Sequence, residues 1–260
     1  MEVLVGLSEV IHLRFFKLPQ LYLLEAVTDE KDVTRIKNAF TSSVNELAIL
    51  SYDNAVWNDA YDYINDRNSK FIKTNFVQDT YNSININGIY LYDKQGVLAW
   101  GKSFNRDTHK PIKLAAFDLP SEFIENNLLT IGEYNTPIKK SGYTVFDGKL
   151  VMFAATSIFR ADLTAKTNGT LVFWRFVDKD ILLDLQKRAG IEFEIETISD
   201  IIKKNAKKIT KDTYIKGSYR DHEQLISDYY PMLTKNSRIY FTYKAPKRLF
   251  VSSWFNGETI

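Results

Sequence analysis

The chain has 260 residues, 45% of them hydrophobic and 25% charged, which is typical of a globular protein with one large or two small domains. Its formal net charge of +2 is too small to indicate nucleic-acid binding, and no apolar run reaches the roughly 18 residues that a membrane helix needs. Because it contains no cysteine, a disulfide scaffold, a thiolate zinc site and a cysteine nucleophile are excluded, while the compartment stays open.

The first part of the chain predicts a long helix. Residues 1–30 are apolar, but charges interrupt them too often for the apolar core of a signal peptide. Apolar residues then recur with helical spacing, which predicts one helix over residues 33–65. Near its end Asp53, Trp57 and Tyr61 are four residues apart and would share one face. We expect this face to pack against another part of the protein, because a solvent-facing helix has no need of two aligned aromatic residues.

After the long helix the period changes to that of strands. The strongest local signal is Asp147-Gly148 between two apolar runs, which predicts a tight hairpin. The predicted strands are residues 86–92, 97–100, 142–146, 149–158, 170–176, 192–198, 238–243 and 248–254. Two further helices are predicted over residues 120–127 and 178–188, the second ending at Gly190. The content of 15 Tyr and 17 Phe also favours a sheet-rich core over a helical bundle.

These elements predict the α+β class, with a long N-terminal helix packed on antiparallel sheets. Five strands between residues 86 and 176 are typical of a compact PAS-like module, and the later strands predict a second, smaller module. We therefore expect three parts. They are an N-terminal segment with the long helix at residues 1–82, a first module at residues 83–189 and a smaller module at residues 190–260.

One stretch matches an enzyme motif. Residues 96–103 read G-x-x-x-x-G-K-S, the pattern of a loop that wraps nucleotide phosphates and opens into a helix. Its inner residues Val, Leu, Ala and Trp prefer a strand, so we interpret the stretch as part of a hairpin and keep a nucleotide hydrolase as a remote alternative. The sequence contains no serine nucleophile motif and no pair of histidines with metal-ligand spacing, so no catalytic or metal-binding residue is predicted.

Two other features have a functional and a structural interpretation. The basic run at residues 203–211 has no aromatic residues for base stacking, so a solvated helix face is favoured over contact with nucleic acid or anionic lipid. The Asp53, Trp57 and Tyr61 face, with Asp59 nearby, offers a carboxylate beside aromatic rings, as an amine or other polar ligand requires. The same residues can serve as packing beneath a sheet, which we favour, and the two roles can coexist.

The end of the long helix resembles the CHASE4 domain, an extracytoplasmic sensor domain of the Cache superfamily found in bacterial signalling receptors. The family pattern at this point is roughly D-W-A-x-W-D-D-x-Y-x-F. The matching residues are Asp53, Ala55, Trp57, Asp59 and Tyr61, and those that depart from it are Asn54, Asn58 and Tyr63. Residues 89–98, 148–158 and 169–175 are similar to strands of the family, so the resemblance covers about residues 50–176. The R-x-x-W-Y motif, with which some Cache domains bind amino acids, is absent.

This resemblance implies a location and a role. Such domains face the periplasm between two membrane helices, above a histidine kinase, a diguanylate cyclase or a chemoreceptor output. The chain would be such a sensor without its membrane helices, with residues 22–25 just outside the first and residues 251–260 leading toward the second. The module at residues 83–189 would be distal to the membrane, and that at residues 190–260 proximal. Signalling would be a helix rearrangement in a homodimer formed by residues 33–50, with no enzymatic activity and no cofactor.

The resemblance and the strand pattern together place a pocket for an unidentified small molecule between the sheet of the first module and its covering loops. The face of Asp53 and Tyr61 would form its floor or its support. The residues expected to contact the ligand are Asp53, Trp57, Asp59, Tyr61, Tyr90, Tyr92, Trp100, Arg160, Trp174 and Arg175. The competing hypothesis is a structural module that binds no small ligand and transmits contact with a protein partner.

Overall fold

The structure is a computed structural model that describes residues 11–114, 117, 128–146, 149–196, 219–220, 225–233 and 238–244. Some sequence predictions lie outside these residues. They are the helix over 120–127, the turn at 147–148, the basic run at 203–211, the strand over 248–254 and the segment at 251–260.

A long helix is followed by three short helices. After a π-helical segment at Leu13–Lys17 come α1 (Leu18–Ala55), α2 (Asn58–Asp66), α3 (Ser69–Asn75) and α4 (Gln78–Ser83). A later helix, α5, spans Lys179–Ala189 and confirms the helix predicted over residues 178–188. It ends at Gly190, whose φ of +65° is the left-handed conformation that favours glycine.

The helix predicted over residues 33–65 is broken, so this part of the prediction is wrong. Trp57 has an extended backbone with φ −148° and ψ 133°. The Phe159 N–H donates to the Ala55 carbonyl oxygen at 3.1 Å, and Val56 forms a parallel bridge with Phe159. The helix ends here because a strand-like contact takes the carbonyl that the next helical turn would use. The predicted helical face of Asp53, Trp57 and Tyr61 therefore does not form.

The strands of the first sheet confirm the predicted hairpins. They are β1 (Gly88–Asp93), β2 (Leu98–Ser103), β3 (Lys139–Phe146), β4 (Lys149–Ile158) and β5 (Gly169–Phe176). Their order is β2-β1-β5-β4-β3, and all neighbours are antiparallel. Tyr90 pairs with Gly101 in the first hairpin, and Phe146 pairs with Lys149 in the second. The α+β class with a five-stranded PAS-like module is thus confirmed.

Both faces of this sheet are buried. On one face, the Tyr143 hydroxyl donates to the Phe40 carbonyl oxygen of α1 at 3.1 Å, and the Ser51 hydroxyl donates to Thr156 Oγ1 at 2.9 Å. The other face is covered by the connection between β2 and β3. The described residues of this connection that pack on the sheet are the buried Leu114, Phe117, Leu128 and Leu129 and the half-buried Ile112 and Ile131. Burial on both sides explains why β4 and β5 are continuous apolar runs rather than alternating ones.

The chain divides into two compact units. One contains residues 39–185 and 231–237, and the other contains residues 1–38, 186–230 and 238–260. The first unit holds the five-stranded sheet. The boundaries expected from the sequence, at residues 82 and 189, stay a prediction.

The second unit contains strands of a four-stranded sheet, which are β6 (Glu194–Glu196), β7 (Tyr219–Arg220), β8 (Leu225–Pro231) and β9 (Arg238–Lys244). Their order in the sheet is β6-β9-β8-β7. Within this unit the Phe193 and Phe241 rings meet edge to face at 6.2 Å, and the Tyr243 hydroxyl donates to the Asp29 carbonyl oxygen at 3.4 Å.

Candidate functional site

The ten candidate residues lie in three places. Tyr90, Tyr92 and Trp174 lie on the sheet face beneath the β2–β3 connection, which we call the covered face. Trp100 and Arg175 lie on the opposite face, because side chains alternate across a strand. The others lie around the end of α1 or in the β4–β5 connection: Asp53, Trp57, Asp59, Tyr61 and Arg160.

The covered face holds a stack of aromatic rings. The Phe117 ring lies 4.8 Å from the Trp174 ring, centroid to centroid, with 10° between the two planes. Its distance from the Tyr90 ring is 5.0 Å, with 28° between the planes. The Tyr92 hydroxyl donates to the Phe117 carbonyl oxygen at 2.6 Å. None of these four residues is more than 2% exposed, so the stack is closed to solvent.

Two strand glycines make room for these rings. A Cβ atom on Gly88 would lie 2.0 Å from Trp174 Nε1, and one on Gly101 would lie 2.1 Å from Tyr90 Cδ1. Non-bonded atoms do not approach so closely, so each ring fills the space that another residue's side chain would need. The two rings thus lie directly over glycines, and Phe117 stacks on both.

Buried polar atoms lie beside the stack. The Tyr90 hydroxyl and Ser103 Oγ are hydrogen-bonded at 2.8 Å, and a Cβ on Gly88 would lie 2.8 Å from the same Ser103 oxygen. Trp174 Nε1 is therefore near these two hydroxyls, yet it has no hydrogen-bond partner among the described residues. Thr144 Oγ1, also on the covered face, likewise has no partner in the part of the chain that the structure describes. A buried polar group without a partner costs roughly 1–3 kcal/mol.

Arg175 is buried on the opposite face, against α1. Its Nη2 donates to Ser43 Oγ at 2.9 Å, and its Nε donates to Met152 Sδ at 3.2 Å. Burial lowers the pKa of the Arg175 guanidinium, since the charged form loses its hydration. Trp100 stacks on Phe76 at 5.5 Å. Neither Arg175 nor Trp100 therefore faces the ring stack of Tyr90 and Trp174.

Tyr61 and Arg160 come together where α2 meets the β4–β5 connection. The Arg160 guanidinium lies 4.7 Å from the Tyr61 ring centroid and donates to Asp62 Oδ1 at 2.5 Å. Asn168 Nδ2 donates to the Tyr61 carbonyl oxygen at 2.8 Å. These contacts hold the connection against α2.

The other members of the predicted helical face are separated. The Trp57 ring packs edge-on against Phe71, at 5.4 Å between centroids. Asp53 and Asp59 are exposed, and Asp59 borders a surface depression of about 380 Å³ lined mainly by polar side chains. A ligand contact by any of the ten residues stays a prediction.

The enzyme motif has a structural explanation. Its residues from Leu98 to Ser103 form strand β2, so the phosphate-loop alternative is wrong and the hairpin interpretation is confirmed. Among the described residues, no three His, Asp or Glu side chains come together as they would around a metal ion. In the same part of the chain, none of the helices has the length and apolar character needed to cross a membrane.

Phe117, Ser103 and Thr144 are not among the residues predicted from the sequence. Phe117 lies in a connection without periodic pattern, so nothing local marks it. Ser103 pairs with Gly88 in the observed hairpin, but it lies beyond the second predicted strand, residues 97–100, so the prediction did not reach it.

Comparison with known proteins gives a family match and several similar structures. The sequence model of the CHASE4 domain matches residues 39–196. No curated protein sequence matches the chain. The extracellular domain of the putative histidine kinase vpHK1S-Z8 is 13% identical, with a TM-score of 0.51 over 84% of this chain and 94% of that chain.

Two Vibrio cholerae structures are also similar. The sensor domain of the histidine kinase DctB is 11% identical, with a TM-score of 0.50 over 87% of this chain and 98% of that chain. The LuxQ periplasmic domain is 14% identical, with a TM-score of 0.49 over 84% of this chain and 98% of that chain. At these identities, the likeness to the DctB and vpHK1S-Z8 domains concerns the fold alone, and it agrees with the α+β class.

Proposed function

The chain belongs to the CHASE4 domain family, and from this premise we propose that it senses a small molecule on the covered face of its five-stranded sheet. Domains of this family are the extracytoplasmic sensor parts of bacterial transmembrane receptors. The chain is therefore such a sensor domain, located on the periplasmic side of the membrane. For the domain itself we propose a binding role without catalysis or cofactor.

One observation carries the proposal. Three of the predicted ligand-contacting residues, Tyr90, Tyr92 and Trp174, meet on one buried face, on which residues of the β2–β3 connection and Leu233 pack. Such a face, lined by aromatic rings with a few polar atoms, has the character of a small-molecule site. We propose these three residues as ligand contacts. The support of the site would come from the residues around α2, above all Tyr61 and Arg160.

Signal transmission is the second part of the proposal. We propose that the chain forms a homodimer through α1 and that ligand binding changes the arrangement of the two helices. The exposed apolar residues of α1 support this, among them Leu23, Leu24 and Ile49. Sedimentation equilibrium tests it, since Ile49→Glu should weaken the dimer whereas Asn45→Glu, at an exposed polar position, should not.

A thermal-shift screen tests the ligand. A compound present at 100 times its dissociation constant should add roughly 2.7 kcal/mol to the free energy of unfolding. The shift should disappear in Trp174→Leu and persist in Trp100→Leu, the matched variant on the opposite face. A shift lost equally in both variants would contradict the location that we propose.

The ligand-free module remains the second candidate, and one observation favours it. The covered face is closed, with Phe117 fully buried on the rings that we propose as ligand contacts. Native mass spectrometry of the purified chain distinguishes the two candidates. A molecule that co-purifies and is released by denaturation supports sensing. The mass of the protein alone, together with a thermal-shift screen that finds no ligand, supports the interaction module.

A further inference from the structure

We propose that the surface depression between α2 and α3 binds a linear aliphatic diamine. Its two ammonium groups would lie on carboxylates of α2, and its methylene chain would lie over two aromatic rings. The depression, of about 380 Å³, shares no residue with the covered face. This second site therefore goes beyond the sensing function proposed above and does not depend on it.

One side of α2 gives the depression its negative charge. Asp59, Asp62 and Asp66 are spaced three and four residues apart, so their side chains project from the same side of the helix. The other wall belongs to α3, which begins after Arg67, a residue with a φ of +55° that ends α2. Among the lining residues, three carboxylates stand against one ammonium group, that of Lys70. The lining thus attracts cations and repels anions.

The carboxylates differ in the partners that they already have. Asp62 pairs with Arg160, and Asp66 Oδ1 accepts from the Asn68 backbone N–H at 2.8 Å. Asp59 forms no hydrogen bond or ion pair with any described residue. Asp59 and Asp66 are seven residues apart, which is about 10 Å along a helix. Among the described residues, no three acidic or histidine side chains are grouped as a metal ion requires. Separate charges on one extended cation therefore match these carboxylates better than a single metal ion does.

The floor of the depression is aromatic and contains a hydroxyl without a partner. The Tyr63 and Phe71 rings lie 5.3 Å apart, centroid to centroid, and the two residues are only 5% and 7% exposed. In the part of the chain that the structure describes, the Tyr63 hydroxyl has no hydrogen-bond partner, and it is not sealed from solvent. It therefore opens into the depression that Tyr63 lines. A polar group on so deeply buried a side chain normally has a partner, which a ligand would supply here.

The position of Tyr63 defines the ligand further. Tyr63 lies four residues after Asp59 and three before Asp66, so its hydroxyl lies between the two carboxylates along the helix. Burial raises the pKa of Tyr63, so the hydroxyl stays neutral and its oxygen can accept a hydrogen bond from an ammonium group. The faces of the Tyr63 and Phe71 rings attract cations and also pack against methylene groups. A chain of methylenes with an ammonium group at each end uses all of these features.

Isothermal titration calorimetry at low ionic strength tests this with 1,5-diaminopentane and 1-aminopentane, which share one carbon chain and differ by one ammonium group. The wild-type chain should bind the diamine about fivefold tighter, a modest factor because the carboxylates at the rim are exposed. Asp59→Asn and Asp66→Asn should each lower the affinity for the diamine to that for the monoamine. Tyr63→Phe should bind both compounds roughly threefold more weakly.

Asp107→Asn is the matched control, because it removes the same charge at an exposed position outside the depression. It should bind the diamine as the wild type does. Circular dichroism melts check the fold of each variant. Should Asp66→Asn be unstable, Asp59→Asn still tests the site, since the Asp59 side chain has no polar contact with a described residue.

Several results would overturn the proposal. Equal affinities of the wild type for the two amines, or no measurable binding of either, would refute the diamine site. An affinity that falls as much in Asp107→Asn as in Asp59→Asn would show a general attraction of cations to the chain. An unchanged affinity in Tyr63→Phe would refute the role of the unpartnered hydroxyl, and with it the observation that points to a ligand.

Discussion

Arg175 tests how the sheet holds α1, because its buried guanidinium contacts that helix directly. Its bond to Ser43 is charge-assisted and contributes roughly 1.5–3 kcal/mol, whereas the thioether sulfur of Met152 is a weak acceptor and adds less. The side chain is only 7% exposed, however, and removing a guanidinium from water costs several kcal/mol. These terms nearly cancel. We therefore expect Arg175→Met, which keeps the length and the apolar stem, to change the free energy of unfolding by less than about 1 kcal/mol.

Arg175→Ala should behave differently, because it leaves a cavity beneath the helix. We expect it to lower the free energy of unfolding by roughly 2–4 kcal/mol. Urea denaturation followed by far-UV circular dichroism measures both variants, with Lys102→Met at an exposed position of β2 as the control. If Arg175→Met proves as unstable as Arg175→Ala, the charged hydrogen bonds outweigh the desolvation and the reasoning is wrong.

Three further substitutions test other parts of the structure. Gly88→Ala should lower the free energy of unfolding by roughly 1–3 kcal/mol in urea, because its Cβ needs space that the Trp174 ring fills; a gain in stability would contradict the packing. Hydrogen bonds from two lysines lower the pKa of Glu133 below its ordinary value of 4.5, so its contribution to stability is present above pH 4.5 and is lost as the pH falls through the lower folded value. Glu133→Gln should thus lower the Tm slightly at pH 7 and leave it unchanged near pH 2, and equal Tm differences at both pH values in circular dichroism melts would refute this. Asp62→Asn should lower the free energy of unfolding in urea by less than about 1 kcal/mol, since its partly exposed ion pair with Arg160 is screened by water. A larger loss of stability would contradict this screening.

The elements with local signals were predictable from the sequence, and those decided by distant contacts were not. The hairpins follow from apolar strand runs separated by turn residues, and α5 follows from its apolar spacing and from Gly190. The break after Ala55 depends on a hydrogen bond from Phe159, a residue far along the chain, so no pattern near the helix end reveals it. The short helices α3 and α4 and strand β8 were also not predicted, because their sequences are polar or mixed and too short for a clear period.

The candidate site was predictable only in part. The aromatic residues of β1 and β5 mark the covered face because they recur at every second position, as Tyr90 and Tyr92 do. The same alternation separates Trp174 from its neighbour Arg175, which the structure places against α1. Phe117 could not be predicted from the sequence, since its position depends on the path of the connection and not on any local pattern.

The strand order has a consequence for how this sheet assembles. Each hairpin joins neighbours in sequence and can form early, but β1 pairs with β5, so Gly88 meets Trp174 only after nearly all of the module has been synthesised. Until then the inner edge of β1 lacks its partner strand, and an unpaired apolar edge can associate with other chains. The last strand to arrive therefore completes the middle of the sheet, and folding of the module is expected to be slow and to benefit from chaperones.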